Sequence, residues 1–540
     1  MKNILTQKYQ SLKDVIAYRW AMMRRPHANA AIAEISAQCP TGHPGAILCE
    51  GLWDHPHHWL RLAMFRCAAA EKFGSDLIGL YEETSAPTVI DSLRALGLSA
   101  EEIVPSAITD SHYAMADEML HGIDTPRKAL DLKFPNEYPA HFFYDGVLKL
   151  EKIGQMDCAS PQLRNHLAAA LKYLDFYKGV FTQHEIRALV VSHPTTIRFS
   201  TLVWTALRHQ IPVFVLNYVN KHITIQKLDT VEEFYSGLID IPTIDHRDSL
   251  SEVHRARLIS HGERFLNAAL AGKEGQISMV KVYADGDKAF ASRQAFCEKI
   301  GADPSKPINV VMANCWPDFP NGHGPSYYTD YVDWFNITLA AIRDDKTCTW
   351  ILKPHPAEHL YGQQTTMRNL LDFPLPEGVY MWPESASTTD AMSFADTVVT
   401  AIGTAGIEFP AVGIRALTGR ATPYSTWGFA NCANSKESYT HALKTISSLP
   451  KPDKRAQDDA KIYLALTNAD LSEGKGLHLP WGLFSYRLWA GLSSYISDNR
   501  ILINREIACI SEWIDSQARS YHVHRMLTQS DNDQDTASHP

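Results

Sequence analysis

Short apolar runs that break at Gly, Pro, His or Ser dominate the middle of the chain, each followed by a longer stretch with apolar residues at helical spacing. AILCEG (46–51) is such a run. HWLRLAMFRCAAAEKFG follows it with helical periodicity, and DLIGLY (76–81) resumes the apolar pattern. The order recurs in RALVVSHP (187–194), a helix through Ser200–Arg208, and IPVFVLNY (211–218). Strand–helix–strand alternation of this kind predicts a parallel sheet covered on both faces. Residues 219–300 read as mostly helical and polar, with no strong strand before ISMVKVY (277–283).

The alternation restarts at INVVMANCW (308–316), with YVDWFNITLAAIRDD as a helix and TCTWILK as the next strand. GVYMWP (378–383), DTVVTAIG (396–403) and IRALTG (414–419) read as further strands, SASTTDAMSFA and IEFPAV as helices. The predicted fold class is therefore α/β, with two tandem Rossmann-like domains and closing helices at the C-terminus. The expected divisions are a helical extension (1–40), a first Rossmann-like domain plus connector (41–300), a second (301–450), closing helices (451–527) and a disordered tail, TQSDNDQDTASHP (528–540). No sequence repeat links the halves.

Composition narrows the function. With 540 residues, the chain is long enough for two or three sizeable cores. A formal charge of -9 argues against a general nucleic-acid binder, which needs a basic face. The nine cysteines are scattered without CxxC spacing, which favours reduced thiols over a disulfide framework. The polar start MKNILTQKYQSLKD is no secretory leader, and no apolar run approaches the ~20 residues of a membrane span. A soluble cytoplasmic protein is the expectation. Two segments are candidates for peripheral contact with the cytoplasmic membrane: residues 1–25, with Lys2, Lys8, Lys13, Arg19, Arg24 and Arg25, and WGLFSYRLWAGL (481–492).

Ligands of open parallel sheets bind at the carboxyl ends of strands, and the residues there are chemically distinctive. Lys353-Pro354-His355-Pro356 ends one strand, its prolines stiffening the backbone on both sides of an imidazole suited to an anionic oxygen. Gly403-Thr404-Ala405-Gly406 opens the helix that carries Glu408, an arrangement that presents amides to a phosphate and a carboxylate to ribose hydroxyls. It lacks the GK[ST] of a P-loop. After the first strand, EGLWDHPHHW offers Glu50 and Asp54 as general bases, with His55, His57 and His58 beside them. Its His-x-His also occurs in metal-dependent hydrolases, but no convincing aspartate completes a ligand set. His193, Thr195 and Arg198 (VVSHPTTIR), with Asp318 and His323 (CWPDFPNGHG), are expected to line the same cleft. Asp285-Gly286-Asp287 reads as an ordinary turn, and a Gly-x-Ser-x-Gly nucleophile elbow is absent.

Three stretches, ILCEGLWDHPHHWLRLAMFR, WILKPHP and TAIGTAGIEFPAVGIRALTGRATPYSTWGF, resemble bacterial capsule and surface polysaccharide synthesis proteins of GT-B architecture, the group that includes Kdo transferases. Related His-Pro motifs occur in sialyltransferases and in glycerophosphate polymerases of teichoic acid synthesis. The resemblance implies that His355 and Pro356 contact a donor phosphate, that Lys353, Gly403, Thr404, Ala405 and Gly406 complete the donor site, and that Glu408 addresses the ribose. It implies a metal-independent glycosyltransferase moving a sugar from a nucleotide-activated donor, CMP-linked sugars being one choice, to a glycan or glycolipid acceptor, with no separate cofactor. His355, Asp54 and Glu50 are the expected catalytic residues, and His55, His193, Arg198 and Asp318 the acceptor or cleft residues. Arg415 stands where similar proteins often have proline. The rival readings are a glycerophosphate-type phosphotransferase, a metal-dependent hydrolase built on the HPHH loop, and a sugar-nucleotide epimerase.

Overall fold

The computed structural model describes residues 2–217, 222–236, 242–273, 290–356, 358, 362–468, 477–479 and 485–528, and their side chains except those of 2–17, 485 and 486. The expected strand at 277–283, the Asp285-Gly286-Asp287 turn, residues 481–484 of the aromatic segment and the tail beyond Thr528 lie outside the described residues.

Among the described residues, twelve strands form two six-stranded sheets. The first comprises β1 (Ala46–Glu50), β2 (Asp76–Glu82), β3 (Ala100–Val104), β4 (Ile186–Val191), β5 (Val213–Asn217) and β6 (Thr224–Leu228), in the order β3-β2-β1-β4-β5-β6. It is parallel except for β6, which pairs antiparallel with β5. The second comprises β7 (Ile308–Met312), β8 (Thr349–Lys353), β9 (Val379–Met381), β10 (Thr397–Thr400), β11 (Arg415–Thr418) and β12 (Asn431–Cys432), all parallel, in the order β12-β11-β10-β7-β8-β9. Counted from its own first strand, the second sheet repeats the order of the first. Both have the doubly wound α/β topology, whose strand order reverses between β1 and β4 and between β7 and β10.

The central strands read clearly because both of their faces are covered. In β1, Leu48 packs with Leu80, Leu189, Phe143 and Leu171 on one face of the sheet. Its neighbours Ile47 and Cys49 pack on the other face, with Val190, Trp59 and Phe65. Every residue of β7 and β8 is buried. The first sheet's second face is closed by α1 (Lys2–Ser36), α2 (Pro56–Phe73) and the late helices Ser485–Asp498 and Arg500–Asp515, which bring Trp489 and Trp513 back to the N-terminal half. The helix Lys454–Asn468 lies on the second unit's Ala405–Ala411 helix and crosses Glu252–Leu270. That crossing is tight: a Cβ on Gly262 would stand 1.9 Å from the Lys461 carbonyl.

Three features depart from the sequence reading. Residues 224–228 form an edge strand inside the stretch expected to be helical, held by β5 and by the Lys227 amide donating to the Arg519 carbonyl at 2.8 Å. Ala100–Val104 was not expected as a strand; it is an edge strand whose Glu101 and Glu102 face outward to Arg94 and His184. Cys39 and Cys67, 28 residues apart, are paired as a disulfide where the end of α1 reaches α2, against the expectation of reduced thiols throughout; the other seven are free.

The helix Ala140–Glu151 fastens the first unit to the second. Its Tyr144 hydroxyl donates to Asp330 at 2.6 Å, and Asp330 in turn caps the helix Tyr331–Ile342. Asp145, 1% exposed, accepts from the Asn321 backbone amide at 2.8 Å and from its side-chain amide at 3.0 Å. Burial pushes the Asp145 carboxyl up to about 8, against the pull of the Asn321 donors. The Arg420 guanidinium ties down the same loop by donating to the carbonyls of Pro320, His323 and Gly324. Asp145→Ala should strand both Asn321 donors in a dry interface, costing about 2 kcal/mol or more. A melting temperature several degrees lower is expected, and an unchanged melt would mean that this contact does not hold the units together.

Candidate functional site

The second sheet's switch point is built from β7, β8 and β10. Met312 at the end of β7 is in register with Lys353 on one side and Thr400 on the other, so the two loops leave the sheet level with each other, about 10 Å apart. The Ala313 amide donates to the Lys353 carbonyl at 3.0 Å. Thr400 donates its hydroxyl to Asn314 and receives the Gly403 amide, each at 3.2 Å. The switch-point crevice is thus lined by Asn314, Lys353 and the 403–406 loop.

Lys353 is 7% exposed and makes no hydrogen bond or ion pair among the described residues. Its ammonium lies 5.5 Å from the centre of the Trp382 ring, which follows β9. Burial pushes it down to about 8, while Glu408 pulls the other way. Glu408 is itself raised by burial, and is held down by the Thr404 side chain and by Lys353. Lys353, at the end of β8, and Glu408, in the helix that the GTAG loop opens, thus lie within electrostatic reach of each other. His355 is pushed down to about 4 by burial and then by Lys353, with Asp318 opposing, so its ring is neutral near pH 7.

Packing also calls for the glycines of the second loop. A Cβ on Gly406 would stand 2.2 Å from the Tyr424 hydroxyl, which donates to the Gly403 carbonyl at 2.8 Å. A Cβ on Gly403 would stand 2.9 Å from the Thr400 hydroxyl. Both are small because side chains pack against them. The amides of Gly406, Ile407 and Glu408 turn back to Gly403 and Thr404 carbonyls, while those of Thr404 and Ala405 make no backbone hydrogen bond among the described residues.

The first sheet's switch point lies between β1 and β4. Glu50, fully buried, accepts from the Leu52 amide at 2.6 Å and from the amide and hydroxyl of Ser192, so it ties the ends of the two strands together. Asp54 is gripped by both Nη atoms of Arg25, at 2.7 and 2.8 Å, and accepts from Trp59 at 3.0 Å. All four oxygens of the two expected bases are engaged. They differ in access: a third of the Asp54 side chain is exposed, and none of Glu50's. His55 caps α2 and stacks on Trp53, ring centres 4.7 Å apart. His193 meets the edge of the same indole at 5.2 Å and shares a 2.9 Å hydrogen bond with Ser192. Burial above all pushes both imidazoles down to about 3, and His57 to about 2. His58 bonds the Glu50 carbonyl at 3.1 Å. Among the described residues, no group of three His, Cys, Asp or Glu side chains is arranged to hold a metal ion.

Lys149, which the sequence does not single out, joins the two halves. It donates to Asp318 at 2.6 Å, and its charge reaches His193 while that of Asp318 reaches His355. The structure thus brings His55, His193 and Asp318 toward the side that holds Lys353 and His355. Arg198 turns one strand over, to Glu82 at the end of β2, at 3.4 Å. His323 contributes its carbonyl to Arg420.

The sequence matches no protein-family model and no curated protein. Its fold is similar to solved structures at low identity. One is the Thermosulfurimonas dismutans KpsC beta Kdo 2,4 transferase, 15% identical, covering 52% of this chain and 79% of that one, TM-score 0.32. A second is a UDP-GlcNAc 2-epimerase from Neisseria meningitidis bound to UDP-GlcNAc, 11% identical, covering 84% and 99%, TM-score 0.24. A third is the wall teichoic acid polymerase TagF, 11% identical, covering 94% and 98%, TM-score 0.20. What the two matching sheets establish is an α/β fold of two doubly wound units.

Proposed function

We propose that this protein is a metal-independent GT-B glycosyltransferase that moves a sugar from a nucleotide-activated donor to a surface polysaccharide or glycan acceptor. One observation carries the reading: a buried lysine at the β7/β10 switch point with no anionic partner in hydrogen-bond reach among the described residues. An unpaired buried cation is costly, and a phosphate oxygen beside it offsets that cost. The resemblance of the KPHP stretch to Kdo transferases puts CMP-linked donors first.

In this reading the donor phosphate lies between Lys353 and His355 and accepts from the Thr404 and Ala405 amides of the 403–406 loop. Charge develops on that phosphate as the sugar leaves, so donors fixed there lower the barrier rather than merely binding substrate. Glu408 accepts from the ribose hydroxyls. Asp54, the more accessible of the first sheet's two carboxylates, takes the acceptor proton, and Glu50 keeps the β1 and β4 ends together beneath it. His55, His193, Arg198 and Asp318 shape the acceptor side.

Two measurements test the donor side. A phosphate bound at Lys353 raises that ammonium from about 8 toward the ordinary lysine value of ~10.4, so the complex holds a proton that the free protein has lost. Affinity for CMP, CDP, UDP or GDP, read by calorimetry, should therefore fall as pH rises through that window, and Lys353→Met should bind more weakly without the slope. A wild-type affinity that is flat across the window would contradict the assignment. On a panel of nucleotide sugars, His355→Ala should lose two or more orders of magnitude in turnover, in line with ~10²–10³ for one stabilising donor, while keeping the wild-type melt. Wild-type turnover would remove His355 from the mechanism. On the acceptor side, Asp54→Asn should abolish transfer and leave nucleotide affinity intact; unimpaired transfer would restrict Asp54 to holding Arg25.

A further inference from the structure

The terminal helix α1 has two unlike faces. Ala21, Arg25, Ala28, Ile32 and Ile35 are buried, packed toward α2 and the Ser485–Asp498 helix. Opposite them Arg19, Trp20, Met23 and Arg24 stand in solvent, with Trp20 49% and Met23 66% exposed. The Arg24 guanidinium lies 5.6 Å from the centre of the Trp20 ring. Between Lys2 and Arg24 the sequence holds five lysines and arginines against the single acid Asp14, in a chain whose net charge is -9. Positive charge is thus concentrated on a helix that also exposes a large indole and a thioether.

We propose that this face of α1 seats the protein on a membrane surface rich in anionic headgroups. Arg19 and Arg24 meet lipid phosphates, while Trp20 and Met23 enter the boundary between headgroups and acyl chains, where an indole is favoured. The contact is peripheral: among the described residues, no helix is long and apolar enough to cross a membrane. The charge asymmetry selects lipid over a protein partner, because a uniformly anionic sheet matches a basic stripe without requiring a shaped groove. The docking face is also close to the chemistry. Arg25, next along the helix, turns inward to Asp54, so the seated surface lies about one helix diameter, ~10 Å, from the first sheet's switch-point loop. The docking does not depend on the sugar-transfer reading.

The test is co-sedimentation of the full chain with vesicles of phosphatidylcholine alone or with about a third phosphatidylglycerol. The protein should sediment with the anionic vesicles only, and release as salt is raised. Arg19→Ala with Arg24→Ala should weaken binding roughly 30-fold, two charges at about fivefold each. Arg19→Lys with Arg24→Lys, which keeps the charge, should bind nearly as wild type, and Trp20→Ala with Met23→Ala should bind several-fold more weakly. Removing two exposed lysines outside α1, Lys346→Ala with Lys454→Ala, should change nothing. All these side chains are exposed, and matching thermal melts verify that each variant is folded. Equal binding to neutral vesicles, no sedimentation with either kind, or a double arginine variant that binds like wild type would overturn the proposal.

Discussion

A buried lysine ammonium with no anionic partner in hydrogen-bond reach among the described residues sets the terms for the second half of this molecule. Lys353 is fixed where it is by the register of β8 on β7, and its depth comes from strands that are covered on both faces. Trp382 from the next strand and Glu408 from the helix beyond β10 stabilise it weakly and from a distance. The site therefore keeps an unmet demand for negative charge at the point where a doubly wound sheet opens its crevice. Lys353 is pushed down and Glu408 up by the same burial, which leaves the pair responsive to an arriving phosphate.

The other half answers with a surplus of satisfied groups. Glu50, Ser192, Asp54 and Arg25 are tied into buried and half-buried hydrogen bonds that hold the first sheet's loop. Trp53 carries His55 on its face and His193 at its edge. Between the halves runs the helix Ala140–Glu151, with Tyr144 and Asp145 plugged into the second unit and Lys149 reaching across to Asp318.

Much of this was legible in the amino-acid order, for reasons that differ from element to element. β1, β4, β7 and β8 appear as apolar runs because both of their faces meet side chains. β3, with two glutamates, and β6, with Gln226 and Lys227, sit at sheet edges, where pairing rather than burial decides and the apolar signal fades. The KPHP and GTAG loops were recognisable by type. The packing of Gly406 against Tyr424 was not, since Tyr424 comes from a loop 18 residues later and leaves no local trace. Lys149 and Asn314 were invisible for the same reason: each is an ordinary polar residue until the fold sets it beside a strand end. Asp54 looked like a free base, and its bidentate partner lies on a helix that precedes the first sheet altogether.

The central claim is that a phosphate belongs beside Lys353, and a crystal structure of the protein with bound cytidine monophosphate, the nucleotide that a CMP-linked donor releases, tests it most directly. The account predicts a phosphate oxygen within ~3 Å of Lys353 Nζ, with the His355 ring turned toward the same group and the ribose against Glu408. A nucleotide bound elsewhere, or one bound with Lys353 still bare beneath it, would contradict the account.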